Sequence, residues 1–370
     1  MNSTLVEDID RLELTGQVRE SLRGLMEIDR YQWDERGTLT LRGTLNDRAD
    51  AIYRTIRSRL ERFGFTPFLT RAGEGDELVA VPGVVERRRP RLWLPVALFV
   101  ATMFSVLLTG ALNEGANLLH NPGSLLLGVP FAATLLAILF THEMGHYVVG
   151  RLRKAPVSLP YFIPMPPFIS FTGTMGAVIV QREPMEDRRT ILEVGIAGPL
   201  AGLAVAIPLL LFGLSRSTVG PPAGASYVQE GNSLLYAAAK WLMFGRLLPS
   251  GGVDVQLSPV AWGAWIGLLI TMLNLLPIGQ LDGGHVAYAL LGERAHYLAY
   301  ALIGACVLLG LLVSTTWLFW AVLALVIGPR HPAPLNDISR LDAKHVALAV
   351  FGLVVFVLLF MPDPLRIVGS

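Results

Sequence analysis

The sequence predicts an α-helical polytopic membrane protein with about six to seven transmembrane helices, a membrane-dipping β-strand or hairpin, and a small N-terminal soluble α+β domain. The first observation behind this fold class is composition: of 370 residues, 52% are hydrophobic and only 16% are charged, and the mean hydropathy is +0.51. Ordinary soluble proteins are less apolar and carry more charge. The second is that several apolar runs reach the roughly 20 residues that a helix needs to cross the ~30 Å hydrocarbon core.

Residues 1–85 are polar and show the patterning of a small globular domain. Alternating apolar residues predict a strand at Leu39–Leu45, and Asn46 or Asp47 is a candidate N-cap for a helix whose apolar residues recur every four positions. Two runs, Phe65–Thr70 and Glu77–Val81, predict a hairpin around a glycine-rich turn. Because this sequence contains no phosphate loop and no cluster of metal ligands, we expect a regulatory or oligomerisation module without chemistry of its own.

The placement of basic residues predicts the orientation of the chain. Residues 86–91 form a basic linker, rich in arginine, directly before the first apolar run. By the positive-inside rule, this linker places the N-terminal domain in the cytoplasm. We therefore expect a multi-pass integral membrane protein whose N-terminus is cytoplasmic, in a bacterial-type inner membrane or an organelle equivalent. The remainder, residues 92–370, is the predicted transmembrane domain.

Five apolar runs predict clear membrane spans: Leu92–Leu112, Leu125–Gly150, Ile191–Leu214, Val260–Pro277 and His345–Met361. A sixth run, Tyr297–Ile327, is harder to divide, because polar residues interrupt it near Ser314. We interpret this run as two short spans, which gives about seven crossings, although one broken or re-entrant segment would fit as well.

Residues 157–189 contain four closely spaced prolines in an apolar setting, which excludes an ordinary spanning helix there. The run Phe171–Val180 within this segment is rich in β-branched residues and predicts the strand or hairpin in the membrane. Backbone that is not helical is tolerated at membrane depth only where protein or a water-filled cavity surrounds it. The sequence therefore implies a cavity beside this strand.

The second span ends in an H-E-x-x-H pattern, formed by His142, Glu143 and His146. On a helix the two histidines point to the same side, with the glutamate beside whatever they hold. In this pattern two neutral imidazoles bind zinc, and the glutamate, which is not a ligand, accepts a proton from water. Ionisable residues cost about 2.5–3.5 kcal/mol each at the centre of a membrane helix. We therefore favour a metal site over a polar helix end that merely reaches water.

Two histidines leave a catalytic zinc ion one protein ligand short. Asp282 is a candidate third ligand, because it follows the span Val260–Pro277 and returns to the same membrane face as His142. Its alternative role is that of a turn residue in an Asp-Gly pair, and the local sequence leaves both open. Glu193 and His285 are further candidates; the first also suits a helix N-terminus, and the second suits a partner of a ligand.

The H-E-x-x-H helix, taken with the later pattern Asn274-x-x-Pro277-x-x-x-Leu281-Asp282-Gly283, resembles the site-2 protease family of intramembrane zinc metalloproteases. Between these motifs, Ala197–Gly202 is similar to the Gly-Pro segment of that family, although Gly202 replaces the asparagine often found at its end. The resemblance covers a catalytic core of about residues 125–284. It says little about the N-terminal domain or the last three spans, and we expect residues 92–370 as a whole to form a transmembrane metalloprotease domain whose active site faces the cytoplasm.

The resemblance implies that His142, His146 and Asp282 bind one zinc ion per chain and that Glu143 is the general base. Asn274 is then a candidate to hold substrate or the developing oxyanion. An unwound substrate helix would add as an extra strand beside the predicted membrane strand, whose other possible role is only to pack the core. Four residues of this strand are therefore candidates for substrate binding: Gly173, Thr174, Met175 and Gly176.

The implied activity is hydrolysis of peptide bonds in or near transmembrane segments of membrane-anchored substrates, as in regulated intramembrane proteolysis or the clearance of signal-peptide remnants. The expected partners are transmembrane protein or peptide substrates and the lipid bilayer, without nucleic acid; the oligomeric state stays open. A zinc transporter or sensor would need a polar path across the bilayer, and the spans contain few further charges. A catalytically inactive relative would not need the glutamate together with all three expected ligands.

Overall fold

The computed structural model describes residues 3–73, 75–84, 92–181, 183–221 and 227–368. The chain divides into two compact units: the first consists of Met1–Arg89, Glu183–Ile191 and Ala333–Asp342, and the second of Pro90–Arg182, Leu192–Pro332 and Ala343–Ser370. The domain bounds given above stay predictions. The basic linker at residues 86–91 lies outside the described residues.

Two helices and a four-stranded antiparallel sheet form most of the first unit. In chain order they are α1 (Ser3–Ser21), β1 (Met26–Trp33), β2 (Leu39–Leu45), α2 (Ala49–Glu61), β3 (Phe65–Ala72) and β4 (Gly75–Pro82). The strands pair in the order β1-β2-β4-β3. Helix α2 buries Tyr53, Ile56 and Leu60, whose spacing places them on one face of the helix. This face and the sheet enclose an apolar core.

The structure contains the predicted strand β2, the helix after it and the β3–β4 hairpin, whose turn includes Gly73 at a φ of 65°. The predicted N-cap of α2 is wrong. Arg48 occupies that position and makes no side-chain cap hydrogen bond, while Asp47 accepts a bond from the Arg48 amide. Strand β1 was missed because it exposes most of its side chains, so its sequence lacks an apolar alternation.

The two later segments complete the first unit. Leu335 is fully buried in its apolar core. The backbone beside it extends the sheet, since the Leu69 amide donates to the Leu335 carbonyl at 2.7 Å and the Asp337 amide donates to the Leu69 carbonyl at 3.0 Å. A further bridge joins Asp187 to Asn336. The first unit is therefore assembled from three stretches of chain that are far apart in the sequence.

Apolar helices dominate the second unit. They are α3 (Trp93–Asn113), α4 (Val129–Leu152), α5 (Arg188–Ser215, which begins among residues assigned to the first unit), α6 (Leu234–Phe244), α7 (Pro259–Asn274), α8 (Asp282–Leu291), α9 (Ala295–Leu312), α10 (Thr316–Ile327) and α11 (Ala343–Leu359). The strands are β5 (Tyr161–Pro164), β6 (Thr174–Val178), β7 (Thr218–Gly220), β8 (Tyr227–Glu230), β9 (Asp254–Gln256) and β10 (Leu365–Val368). They form the antiparallel pairs β5–β6, β7–β9 and β8–β10.

Four helical stretches of the described chain are long and apolar enough to cross a membrane: Trp93–Asn113, Pro122–Leu152, Arg188–Ser215 and Asp282–Leu312. Four other apolar helices, α6, α7, α10 and α11, are shorter. The run from Tyr297 to Ile327 contains two helices with a break between Leu312 and Thr316. The predicted number of six to seven spans stays a prediction.

Glycines set the close packing of the helices that surround H-E-x-x-H. A Cβ atom placed on Gly267 of α7 would lie 2.7 Å from Ile138 Cδ1 of α4. A Cβ atom on Gly145 of α4 would lie 2.6 Å from the Ala197 carbonyl oxygen of α5. Real Cβ atoms do not approach other atoms so closely, so an added Cβ atom would require the α5 backbone to move at Gly145 and the Ile138 side chain to move at Gly267. Helices α5 and α7 therefore approach α4 nearer than larger side chains would allow.

The buried position of Leu335 predicts a stability effect in the first unit. We expect Leu335→Ala to lower the free energy of unfolding of this unit by about 2–5 kcal/mol, because the substitution leaves a cavity in the core. The measurement is the urea concentration at which trypsin begins to cleave within residues 3–84. Leu12→Ala is the control, because Leu12 is 60% exposed. Equal cleavage midpoints for the two variants would contradict Leu335 as a core residue.

Candidate metal centre

His142 and His146 lie on the C-terminal half of α4 and are both buried, with 3% and 8% of their surfaces exposed. One helical turn separates them, so their rings lie side by side with the two Nε2 atoms 3.2 Å apart. Both Nε2 atoms therefore point toward one place beside the helix.

Asp282 reaches the same place from the first residue of α8. Helix α7 ends at Asn274, before Pro277, and Gly279 turns the chain with a φ of 53°. The Asp282 carboxylate then lies with Oδ2 at 3.2 Å from His142 Nε2 and Oδ1 at 3.3 Å from His146 Nε2. One ligand atom from each of the three residues lies within 4.8 Å of the other two. The described fold thus brings together donors that are 140 residues apart in the chain.

This donor set suits a catalytic zinc ion. Two imidazole nitrogens and one carboxylate oxygen are a recurrent three-ligand combination, and they leave the fourth tetrahedral position for water or substrate. The three side chains are too close together, and too well buried, to be explained as polar groups reaching solvent. In an apolar surrounding, two imidazole Nε2 atoms that face one carboxylate need a cation or shared protons between them and the carboxylate.

Helix α5 supports both histidines from one side. The Val194 carbonyl lies 2.6 Å from His146 Nδ1 and accepts its hydrogen bond, which leaves the lone pair of His146 Nε2 available for a metal ion. A Cβ atom on Gly198 would lie 2.1 Å from His146 Nε2, and one on Gly202 would lie 3.3 Å from His142 Nδ1. The absence of these side chains allows the α5 backbone to lie directly against the imidazoles.

Glu143 and Asn274 lie beside this group. Glu143 is buried, with 5% of its surface exposed, and is not among the three clustered donors. It directly follows His142 on α4 and is therefore next to one of the three donors along the helix. Asn274 Nδ2 lies 3.4 Å from His142 Nε2, at the edge of the group. The described fold therefore gathers Glu143 and Asn274 around the same place as the three donors.

The predicted substrate-binding residues belong to the β5–β6 hairpin and its turn. Gly173 lies against α3, since a Cβ atom there would be 2.6 Å from Thr109 Oγ1. Thr174 is buried and its hydroxyl donates to the Ile163 carbonyl at 2.8 Å. Met175 is 61% exposed, and Gly176 has a φ of 95°. The described contacts of Gly173 and Thr174 run to α3, to β5 and to neighbouring residues of the same hairpin, and none joins them to the three donors.

The two other candidate ligands have different partners. The Glu193 carboxylate accepts hydrogen bonds from the Arg153 guanidinium and lies 2.8 Å from His345 Nε2. His285 Nδ1 is in hydrogen-bond contact with His331 Nε2. Neither residue is part of the cluster of three donors.

Comparison with known proteins agrees with the geometry. A model of peptidase family M50 matches residues 130–314, which is half of the 370-residue chain. The chain belongs to peptidase family M50. The M50 match begins in the first turn of α4 and ends after α9, so it includes every residue of the three-donor cluster.

Curated relatives of this M50 peptidase include probable zinc metalloproteases. The chain is 30% identical to "Probable zinc metalloprotease EGY2, chloroplastic" of Arabidopsis thaliana, over 98% of this chain and 67% of that protein. It is 32% identical to "Probable zinc metalloprotease EGY1, chloroplastic" of Oryza sativa subsp. japonica, over 63% of this chain and 40% of that protein. The chain thus spans about two thirds or less of the length of these relatives. No solved structure matches the chain.

Family and relatives together identify the M50 peptidase as a zinc-dependent protease of the site-2 type, a class that acts in membranes. The apolar helices agree with this setting.

Sequence reasoning missed the Val194 carbonyl as a partner of His146, because a sequence does not show which backbone group will bond to a side chain. The spacing of Gly198 and Gly202, four residues apart and so on one face of a helix, was the signal for the close contact between α5 and α4.

The position of Gly198 predicts an effect on zinc binding. We expect Gly198→Ala to weaken zinc affinity about 10–100-fold, because the added methyl group displaces His146 from its hydrogen bond to Val194. The affinity is measured by competition with a chelator of known strength. Gly304→Ala is the matched control, since a Cβ atom there meets no atom within 4 Å. Wild-type affinity in Gly198→Ala would contradict the described packing of α5 on His146.

Proposed function

We propose that this M50 peptidase hydrolyses peptide bonds in or near transmembrane segments of membrane-anchored proteins, with His142, His146 and Asp282 as ligands of one zinc ion and Glu143 as the general base. The observation that carries the proposal is the convergence of these three donors beside a second carboxylate, that of the buried Glu143, in an apolar helix bundle. Buried carboxylates are rare unless they are paired or functional. The burial of the Glu143 carboxylate is therefore best explained by a role in proton transfer.

Zinc, when bound, supplies a Lewis acid that polarises the scissile carbonyl and lowers the pKa of water. The residues of the chain do the rest. Glu143 is on the same helix as the two histidines, one position after His142, so its carboxylate accepts the proton of the attacking water and passes it to the leaving amine. His146 is held by the Val194 carbonyl, and Asp282 completes the donor set from α8.

Burial of the centre adds to the effect of these groups. His142 and Glu143 expose 3% and 5% of their surfaces, and in such a surrounding an oriented donor acts more strongly than it does in water. Asn274 carries an amide N–H donor at 3.4 Å from His142 Nε2. We assign it to the substrate carbonyl, whose oxygen gains negative charge during the attack.

Substrate presentation is the second part of the proposal. A transmembrane helix satisfies its own peptide groups, so it must be unwound and its freed groups paired before hydrolysis. The described sheet contains β5 and β6 only, which leaves one edge of β6 for a third strand. Residues Gly173–Gly176 and the rest of β6 would pair with the extended substrate through main-chain bonds, which require no particular sequence.

The biological setting is also proposed. The active site and the N-terminal residues 1–85 face the cytoplasmic side of a bacterial-type membrane or its organelle equivalent, and residues 92–370 form the protease domain with its core at about 125–284. The relatives are named chloroplastic, which fits an organelle. The products would be fragments released from membrane anchors, either regulatory proteins or remnants of signal peptides.

Cleavage of a labelled single-span substrate in reconstituted vesicles tests the roles of zinc and Glu143. We expect Glu143→Gln to lower the rate by about 10²–10⁴-fold, the usual contribution of a general base, while bound zinc is unchanged. Glu114→Gln is the control, because Glu114 is exposed at the end of α3. Wild-type cleavage by Glu143→Gln would disprove its role as base. Zinc binding by wild type without cleavage of several substrates would favour a transporter or sensor.

Proline substitutions test the strand hypothesis. We expect Ala177→Pro or Ile179→Pro to reduce turnover of the membrane substrate at unchanged zinc content, because proline removes a main-chain donor and disturbs the strand edge. Ala177→Ser keeps the N–H group and serves as the control. Normal turnover in both proline variants would exclude pairing of substrate with this strand and leave it a packing role.

A further inference from the structure

Glu193 joins three helices near the metal centre. It lies in the second turn of α5, its carboxylate binds the guanidinium of Arg153 at the end of α4, and His345 of α11 lies 2.8 Å from Glu193 Oε1. The Glu193 and His345 side chains are mostly buried, with 16% and 18% exposed, and Arg153 is half exposed. This is a charged junction of three helices within one compact unit.

The junction continues directly into the contact that orients a proposed zinc ligand. The residue after Glu193 is Val194, whose carbonyl accepts the hydrogen bond from His146 Nδ1 at 2.6 Å. Arg153 follows His146 by seven residues, almost two helical turns, so both side chains leave α4 on the same face. The bonds Arg153–Glu193 and His146–Val194 therefore connect the same two helices at two neighbouring levels.

Helix α11 holds α5 from another side in the same way. His345 binds Glu193, and seven residues later a Cβ atom on Gly352 would lie 2.7 Å from Ile196 Cδ1. The first turns of α5 are thus fixed against α4 by Arg153 and against α11 by His345. A shift of this part of α5 would move the Val194 carbonyl away from His146.

We propose that Glu193 is a positioning residue for the metal centre: its bonds to Arg153 and His345 hold the Val194 carbonyl on His146 Nδ1. This bond keeps the Nδ1 proton in place and directs Nε2 at the metal ion. The proposal rests on the proposed function in taking His146 as a zinc ligand. It assigns Glu193 no contact with substrate or metal.

The alternative is an ordinary ion pair that stabilises the fold and does nothing for the metal centre. Because Arg153 is half exposed, solvent screens its charge, and the contribution of such a pair to stability is modest. The two explanations differ in what Glu193→Gln changes. Loss of an ordinary pair alters the unfolding temperature alone, whereas loss of a positioning residue alters the affinity and coordination geometry of the bound metal in protein that is still folded.

The chain provides a matched control. Glu77 pairs with Arg42 at 2.6 Å, and the exposed fractions of the two side chains, 18% and 60%, resemble those of Glu193 and Arg153. Glu77 lies on β4 of the first unit. Glu77→Gln therefore removes a similar charge pair that has no bond to the proposed ligands.

The experiment compares full-length Glu193→Gln, Arg153→Gln and Glu77→Gln with wild type. Zinc affinity is measured by chelator competition, the visible absorption spectrum is recorded after loading with Co²⁺, and the thermal midpoint serves as the test of folding. We expect the Glu193 and Arg153 variants to bind zinc about 10–100-fold more weakly and to show altered cobalt bands. The Glu77 variant should match wild type in both.

Zinc affinity and cobalt bands in Glu193→Gln and Arg153→Gln that equal those of Glu77→Gln would overturn the proposal. His146→Ala separates this failure from that of the proposed function. If His146→Ala loses zinc while the Glu193 and Arg153 variants keep it, the ligand assignment stands and the positioning role is wrong. If His146→Ala also binds zinc normally, the ligand assignment itself fails.

Discussion

The contact between the α5 backbone and two imidazole rings is the constraint on which the metal centre depends. His142 and His146 lie on a helix surrounded by apolar neighbours, and each needs a fixed ring orientation to present Nε2 toward Asp282. Glycines at 198 and 202 remove the side chains that would otherwise occupy the space of these rings. The same closeness brings a main-chain carbonyl within hydrogen-bond range of His146. Two glycines thus allow the backbone of α5 to fix the orientation of both rings.

The metal donors could be predicted because their chemistry is visible in residue type and spacing. Two histidines four positions apart share a helix face, and a carboxylate beyond a helix-breaking proline was the best available third donor. Glu193 was a candidate ligand for the same reason, since a carboxylate near a membrane span is rare. Its partners lie 40 residues before it and 152 residues after it. No local pattern could show that two basic side chains bind its carboxylate.

In the first unit, the local elements could be predicted from the sequence, but the pairing between distant segments could not. Strand β2, helix α2 and the hairpin follow apolar periods that can be read from neighbouring residues. The sheet edge at β3 is completed by residues 335–337, more than 260 positions later. Leu335 looks like a loop residue in sequence because it stands between two prolines and polar residues, and only its burial in this core explains an apolar side chain there. Backbone pairing between segments so far apart in the chain leaves no local sequence pattern from which it could be predicted.

That three-part construction has a consequence for biosynthesis. The core of the first unit is incomplete until Leu335 has been made, although strand β4 ends at Pro82. At translation rates of about 5–20 residues per second, the roughly 250 residues between these points take on the order of 10–50 s. During this interval the edge of β3 has no partner strand, while the apolar helices must be inserted into the bilayer. A nascent chain therefore presents an unfinished N-terminal sheet, whose exposed edge chaperones can recognise, until Leu335 and the residues beside it have left the ribosome.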